Sequence, residues 1–300
     1  MGNTDQKKPR NRGNRLAKVG SSRVGPSTSK ARKEADPAED SVIRIDRRPD
    51  LHLPVLFAAW PGMGSVAVMV AQKLVEKLGL EPIGCLDSAA FTYSEGILIR
   101  NHIILPLQLP EYRFYAGRNP SGKGDLLVFI ADNQPTHPQG FALARLVLKV
   151  ANQFGVRRMY TAAALATSIS HMETPRVWGV STHRESLTEL RGLSIELLAE
   201  GHVRGLNGLL LGVGKHMGFE GICLLGELPY YMVGMDNPKS SLAILEKLSL
   251  LWSLSMDLSD LREEALQKEM EIEDFIRRGE KDSRLEGIVR RSEEDFDNLQ

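Results

Sequence analysis

Two short clusters in this chain of 300 residues carry groups whose types and spacing suit chemistry. The first is Trp60-Pro61-Gly62-Met63-Gly64-Ser65-Val66-Ala67, a G-x-G-x-x-A spacing that follows an apolar run and opens a helix-forming stretch. A dinucleotide site needs that arrangement, because backbone N–H groups at a tight turn and a helix N-terminus can then face a pyrophosphate. Gly62, Met63 and Gly64 are therefore candidate ligand-binding residues, and Asp87 at the end of the next strand has the chemistry of a ribose-binding acid. Against this, Asp87 comes 25 residues after Gly62, beyond the usual spacing of about 20, and Pro61 stands where a small residue is usual. A tight strand-to-helix turn requires glycine whether or not anything binds there, so the steric explanation stands ahead of the phosphate one.

The second cluster is Asp132-Asn133-Gln134-Pro135-Thr136-His137, at the carboxyl end of a strongly apolar run, where doubly wound sheets place their ligands. With Thr167, Ser168, His171, Glu173 and His183 it supplies enough polar groups for general acid/base work, and Asp132, His137 and His171 are the further candidate ligand-binding residues. None shows a specific spacing. Ser168-x-x-His171 lacks a nucleophile elbow and His171-x-Glu173 matches no metal signature, so no catalytic residue, metal or cofactor is expected and loop hydrogen bonding explains most of these side chains. Gly208, Gly212 and His216 recur every four residues on one helix face, a pattern that suits close backbone approach. Gly226-Glu227-Leu228-Pro229-Tyr230-Tyr231 ends another apolar run with an acid and two aromatics, suited to a pocket wall or a contact surface.

These residues must be held by alternating strands and helices. Residues 53–60, 82–86, 97–105, 112–116, 125–131, 158–164, 177–181 and 221–225 read as strands. Residues 64–78, 139–154, 186–190, 206–217 and 240–254 read as helices. Strands apolar on both faces, alternating with helices, imply a three-layer α/β domain with a mostly parallel sheet, spanning residues 41–256. Beyond Asp257, a thin stripe of Leu258, Leu261, Ala265, Ile272 and Ile276 runs through charged sequence. It predicts a charged amphipathic helical extension over 257–300 that packs on the domain, on a partner helix or on another subunit.

Formal charge is zero, but residues 1–33 hold ten Lys or Arg and one acid, Asp5, leaving 28 basic against 37 acidic residues in the remainder. Residues 1–40 contain almost no large apolar side chain and read as a disordered basic tail, with non-specific attraction to nucleic acid as the most it offers. The acidic remainder is not built for nucleic acid. Cys85 and Cys223 lie in apolar surroundings without paired spacing, which fits a reducing, cytoplasmic compartment. No run approaches the roughly 18–20 apolar residues of a membrane span, and no signal peptide is expected.

The ordered combination of Trp60-Pro61-Gly62-Met63-Gly64-Ser65-Val66, Glu173-Thr174-Pro175-Arg176-Val177-Trp178-Gly179 with Thr182-His183, Gly205-Leu206-Asn207-Gly208, and Gly226-Glu227-Leu228-Pro229-Tyr230 with Pro238 resembles the proteasome assembly chaperone two family over residues 53–254. That resemblance implies an α/β core similar to the nucleoside phosphorylase and hydrolase folds and a homo-oligomer. It also implies a non-enzymatic, chaperone-like function in which the protein binds proteasome-like subunits as a scaffold. A nucleotide-binding enzyme, such as an ATP-dependent carboxylate-amine ligase, is the alternative it leaves. One departure is expected to matter: Asn298-Leu299-Gln300 stands where proteasome-binding members often carry a hydrophobic-Tyr-any tripeptide, which argues against docking by a C-terminal tail.

Overall fold

The sheet is organised around Val55–Ala59 (β2), whose residues are buried on both faces except at the first position, so the strand has no room for a polar side. In the computed structural model, which describes residues 42–92, 96–135 and 139–278, β2 pairs in parallel with Leu126–Ala131 (β7) on one side and Arg158–Thr167 (β8) on the other. Glu220–Pro229 (β11) continues the parallel centre beyond β8. Antiparallel partners flank that centre. Tyr112–Gly117 (β6), Glu81–Leu86 (β3) and Ile43–Ile45 (β1) follow outward from β7, and Val177–Ser181 (β9) with the short Glu196–Leu197 (β10) follows from β11. The nine-stranded order is β1-β3-β6-β7-β2-β8-β11-β9-β10. The expected parallel character thus resides in the four central strands and in the short β9–β10 pair at one edge.

Helices cover both faces and complete the three layers. Val66–Leu78 (α1), Ser186–Gly192 (α3), Pro238–Trp252 (α5) and Ser259–Arg278 (α6) contribute buried residues to one apolar cluster, while Gln139–Gln153 (α2) and Gly205–His216 (α4) contribute to the other. Two helix ends show how the local sequence sets a boundary. α5 starts at Asn237, whose side chain accepts from the Ser240 N–H at 2.9 Å, with Pro238 in the first turn where its missing N–H costs nothing. α1 stops at Gly79, whose φ of 58° is the left-handed geometry that terminates helices.

The thin stripe of α6 packs on the same subunit except at its end, where Ile276 is exposed. Leu258, Leu261, Ala265 and Ile272 are buried, and Lys73 of α1 reaches Asp260 at 2.7 Å while Lys77 reaches it at 2.9 Å. Those two ammonium groups, Lys73 first, hold the Asp260 carboxyl well below the usual carboxylate range. The helix thus adds Leu261 and Ile272 to one of the two apolar clusters.

Several expectations need correction. β8 and β11 run to Thr167 and Pro229, past the ends read from sequence, because ten-residue register pairing from Glu220↔Arg158 to Pro229↔Thr167 carries small and polar residues along. The strands β1 and β10 are too short to leave a periodic signal. The single strand expected over 97–105 is a hairpin, Ile99–Arg100 (β4) paired with Ile103–Ile104 (β5), outside the main sheet. In α4, close approach occurs at Gly208, where a Cβ would fall 1.8 Å from the Val203 carbonyl oxygen, whereas Gly212 faces open space. The expected basic tail, His137 and residues 279–300 lie outside the described residues.

Candidate functional site

The glycine turn after β2 is built from two different kinds of glycine. Gly62 is extended, with φ −162°, a conformation open to any residue. Gly64 has φ 63°, and a Cβ there would meet Asn237 Cβ and Leu228 Cδ2, both at 3.1 Å. Its N–H donates to the Val233 carbonyl at 3.4 Å and its carbonyl accepts from the Asn237 N–H at 2.8 Å, stitching the turn to the start of α5. The Ser65 N–H turns back to the Gly62 carbonyl at 3.0 Å. The Gly64 and Ser65 amides that a pyrophosphate would engage are thus spent within the protein.

Asn207, buried at the start of α4, clasps the other side of the same turn. Its Oδ1 accepts from the Trp60 N–H at 3.0 Å and its Nδ2 donates to the Trp60 carbonyl at 3.1 Å. Gln134, after β7, donates from Nε2 to the Pro61 carbonyl and accepts the Leu206 N–H at 2.9 Å. A buried amide side chain bridging a backbone N–H and C=O replaces a strand partner where the sheet ends, so both groups stay satisfied without water.

Beside the turn, at the carboxyl ends of β2 and β8, lies an open cavity of about 400 Å³. Met63, Ala67, Leu198, Val203 and residues 163–166 make it largely apolar, with Glu200, His202 and Arg204 among its lining residues. Its volume falls at the lower end for small-molecule pockets.

A second polar cluster fastens α6. His171, buried in the loop after β8, contacts the Tyr231 hydroxyl through Nδ1 at 2.7 Å and Glu273 Oε1 of α6 through Nε2 at 3.0 Å. Lys239 donates to the His171 carbonyl at 2.8 Å and pairs with Glu269. Both ring nitrogens are occupied, and the adjoining space is about 20 Å³, room for little more than a water. Next to it, the Glu227 carboxylate is 1% exposed. It accepts from the Arg176 N–H at 3.0 Å, from Arg176 Nη2 at 2.8 Å and from Trp178 Nε1 at 3.2 Å, with the guanidinium 5.2 Å from the Trp178 ring centroid. Burial alone would favour the neutral acid, but the bonds from Arg176 and Trp178 outweigh it and hold the Glu227 carboxyl below its ordinary value.

The six candidate residues are therefore dispersed among several tasks. Gly62 and Met63 line the cavity, and Gly64 lies behind it in the junction. Asp132 caps the β6–β7 ladder, accepting from the Glu111 N–H at 2.8 Å. His171 belongs to the α6 clasp, and His137 falls outside the described residues. Asp87 cannot serve the turn, because β6 and β7 separate β3 from β2, a displacement of roughly 14 Å at about 4.8 Å per strand; it caps the short turn Ser88–Ala90 instead, accepting from the Ala89 N–H at 3.0 Å. Sequence reasoning missed the roles of Asn207, Gln134 and Asn237. Glu227 left a usable signal, since an acid inside an apolar strand demands a cation such as Arg176.

What the structure does bring together is the set of scattered sequence motifs: Trp60 meets Asn207, Gly64 meets Leu228 and Asn237, and Glu227 meets Arg176 and Trp178. The sequence matches the PAC2 family over residues 56–276. The chain belongs to the PAC2 family. An uncharacterized protein of Methanocaldococcus jannaschii is 27% identical over 221 residues, covering 73% of this chain and 81% of that one. Among solved structures, Pyrococcus furiosus PbaB, an archaeal proteasome activator, is 27% identical with a TM-score of 0.67, covering 80% of this chain and 98% of that one. Pyrococcus furiosus PbaA, an archaeal homolog of proteasome-assembly chaperone, shares the fold at 22% identity and a TM-score of 0.60, covering 75% and 92%. In this PAC2 chain Trp60, Gly64, Asn207 and Asn237 form a polar junction that ties α4 and α5 to the turn after β2, and Glu227 with Arg176 and Trp178 forms a second cluster. Among the described residues no His, Cys, Asp and Glu group could hold a metal, and no helix is long and apolar enough to cross a membrane.

Proposed function

We propose that this PAC2 protein is a chaperone-like scaffold that binds proteasome-like subunits, works without a catalytic step and self-associates. The observation that carries this reading is where the polar groups go. Of the residues that sequence offers for chemistry, Gly64 is committed to the junction, His171 to the α6 clasp and Asp132 to the end of the β6–β7 ladder, while large apolar side chains remain outside. The similarity to PbaB and PbaA supports a proteasomal partner. Unpaired Cys85 and Cys223, the latter with its thiol pushed up to about 12 by burial, suit a reducing cytoplasm. The parallel centre with antiparallel flanks agrees with a core of the nucleoside phosphorylase kind. The basic residues 1–40 act at most as a non-specific polyanion contact.

Sedimentation of the full chain with archaeal proteasome core particles tests the reading, alongside calorimetric titration with ATP, NAD and AMP. Co-sedimentation with flat nucleotide titrations is expected. No complex with the particles or their isolated subunits, together with nucleotide binding lost on Gly62→Val, would overturn it in favour of a nucleotide-using enzyme.

A further inference from the structure

The two central strands β2 and β8 differ in length, and the difference leaves a notch in the sheet. β8 pairs with β11 from Glu220↔Arg158 to Pro229↔Thr167, but with β2 only from Val55↔Arg158 to Ala58↔Thr161. Residues 162–167 therefore run roughly 17 Å past the last β2 pair, at about 3.3 Å per residue. In a parallel ladder, alternate residues turn both backbone groups toward the same neighbour. The Glu220 N–H donates to the Arg157 carbonyl at 3.0 Å, so Ala163 and Leu165 bond toward β11 while Ala164 and Ala166 face the notch.

Asn207 closes one end. Val55 bonds away from β8, its N–H donating to the Asp125 carbonyl at 2.9 Å, so by the same alternation Trp60 turns its backbone toward β8. Asn207 takes both of those Trp60 groups. Beyond it, no strand among the described residues lies along Ala164 and Ala166 on this side. The cavity of about 400 Å³ touches residues 163–166 in succession, and so lies against the edge of β8 rather than over one face. Ala164 is only 5% exposed, and backbone groups that deep require partners.

The walls limit what enters. Gly62, Ala67 and Gly201 leave room for small side chains, and Met63, Leu198 and Val203 are apolar. Charge does not select, because Glu200 and Arg204, both exposed, bring opposite signs to the lining. What the edge offers is donors and acceptors at strand spacing, a pattern that an extended backbone complements and a small ion does not.

The geometry points to the β8 notch as a strand-addition site for a partner protein, which contributes an extended segment with small apolar side chains, bonded to Ala164 and Ala166. A segment of about four residues spans it. This rests on the scaffold reading above and says how a bound subunit is held.

The test follows single backbone amides of the isotope-labelled full chain by nuclear magnetic resonance and hydrogen exchange. The probes are the blocked peptide acetyl-Ala-Val-Ala-Val-amide and, separately, archaeal proteasome core particles. In the free chain, Ala164 and Ala166 are expected to exchange about tenfold faster than Leu165 or more. Millimolar peptide is expected to shift both signals. Ala166→Pro removes an N–H on the open side alone and is expected to weaken peptide binding about tenfold or more. Ala163→Leu fills the notch without altering the backbone pattern; it should act likewise, and it decides alone if Ala166→Pro fails to fold. No shift up to about 10 mM peptide, or binding untouched by the variants, would overturn the site. Slow exchange at Ala164 in the free chain would also overturn it, because another part of the chain would then fill the notch. Particles that bind without protecting Ala164 and Ala166 would overturn this mode of docking and leave the scaffold reading standing. Peptide binding without particle binding would overturn that reading and keep the notch as a peptide site.

Discussion

The junction after β2 and the β4–β5 hairpin are opposite solutions to the same requirement, that a turn satisfy its backbone and bury its apolar neighbours. In the junction, Gly64, Trp60 and Pro61 bond to Val233, Asn207 and Gln134, and Trp60 itself is fully buried. In the hairpin the backbone is also paired, but Leu98, Ile99, Ile103 and Ile104 are exposed. A closed region of this kind contributes to stability, whereas an open one adds little to it and leaves apolar surface in water. Mutations should therefore separate the two, with global stability changing at the first and hardly at the second.

The largest effect on stability should come from Asn207→Leu, which removes both bonds to Trp60 and leaves a buried N–H and C=O without partners. Chemical denaturation should report a loss of roughly 3 kcal/mol, given about 1–3 kcal/mol for each orphaned group. A loss below about 1 kcal/mol would mean that water enters the junction and that it is less closed than the comparison requires.

The two glycines of the turn sharpen the contrast within the junction. Gly64→Ala should cost roughly 2–3 kcal/mol, combining the left-handed backbone with overpacking against Asn237 and Leu228. Gly62→Ala should cost less than about 1 kcal/mol, since its backbone is extended and the nearest atom to a new Cβ, Asn207 Nδ2, is 3.8 Å away. Thermal melts of the two variants side by side check this, and equal losses would break the assignment of Gly64 alone to the junction.

Glu227→Gln should cost about 1–2 kcal/mol near neutral pH, as expected for weakening a charge-assisted network. The folded carboxyl lies below its ordinary value of 4.5, so its stabilisation is fully present above that value and is lost as pH falls through the lower folded one. Denaturation midpoints of the two proteins should thus differ at pH 7 and converge in acid. A difference that persists in acid would assign the effect to packing.

The smallest effect belongs to the hairpin. His102→Gly creates Asn-Gly, the most favourable pair for a type I′ turn, and should slow hydrogen exchange at the Leu105 N–H about twofold while global unfolding stays unchanged. A shift of the whole denaturation curve would show that the hairpin is coupled to the core after all.

The core was legible because its signals are local. Residues 55–60 and 126–131 are continuous apolar runs flanked by turn residues, and they form the central strands β2 and β7. The stripe of Leu258, Leu261 and Ala265 identified α6, although it could not say which surface the helix would meet. The candidate site was legible only in part. The turn at Gly62 to Gly64 could be placed, but its apparent partner Asp87 depends on strand order, which leaves no mark in residue spacing. Residues 97–105 read as one strand because β-branched residues dominate them, and Asn101-His102 is a weaker hairpin signal than Asn-Gly.

The sequence by itself determined the element types, the residues that must be buried, the α/β class and the family, since hydrophobic period, turn chemistry and motif order are properties of neighbouring residues. Only the tertiary structure decided that Trp60 and Asn207, 147 residues apart, share two hydrogen bonds. It alone placed Asp87 far from the glycine turn, joined His171 to Glu273 and turned the hairpin outward. Those facts follow from strand order and helix docking, where many weak contacts are satisfied together and no single stretch of chain encodes the outcome.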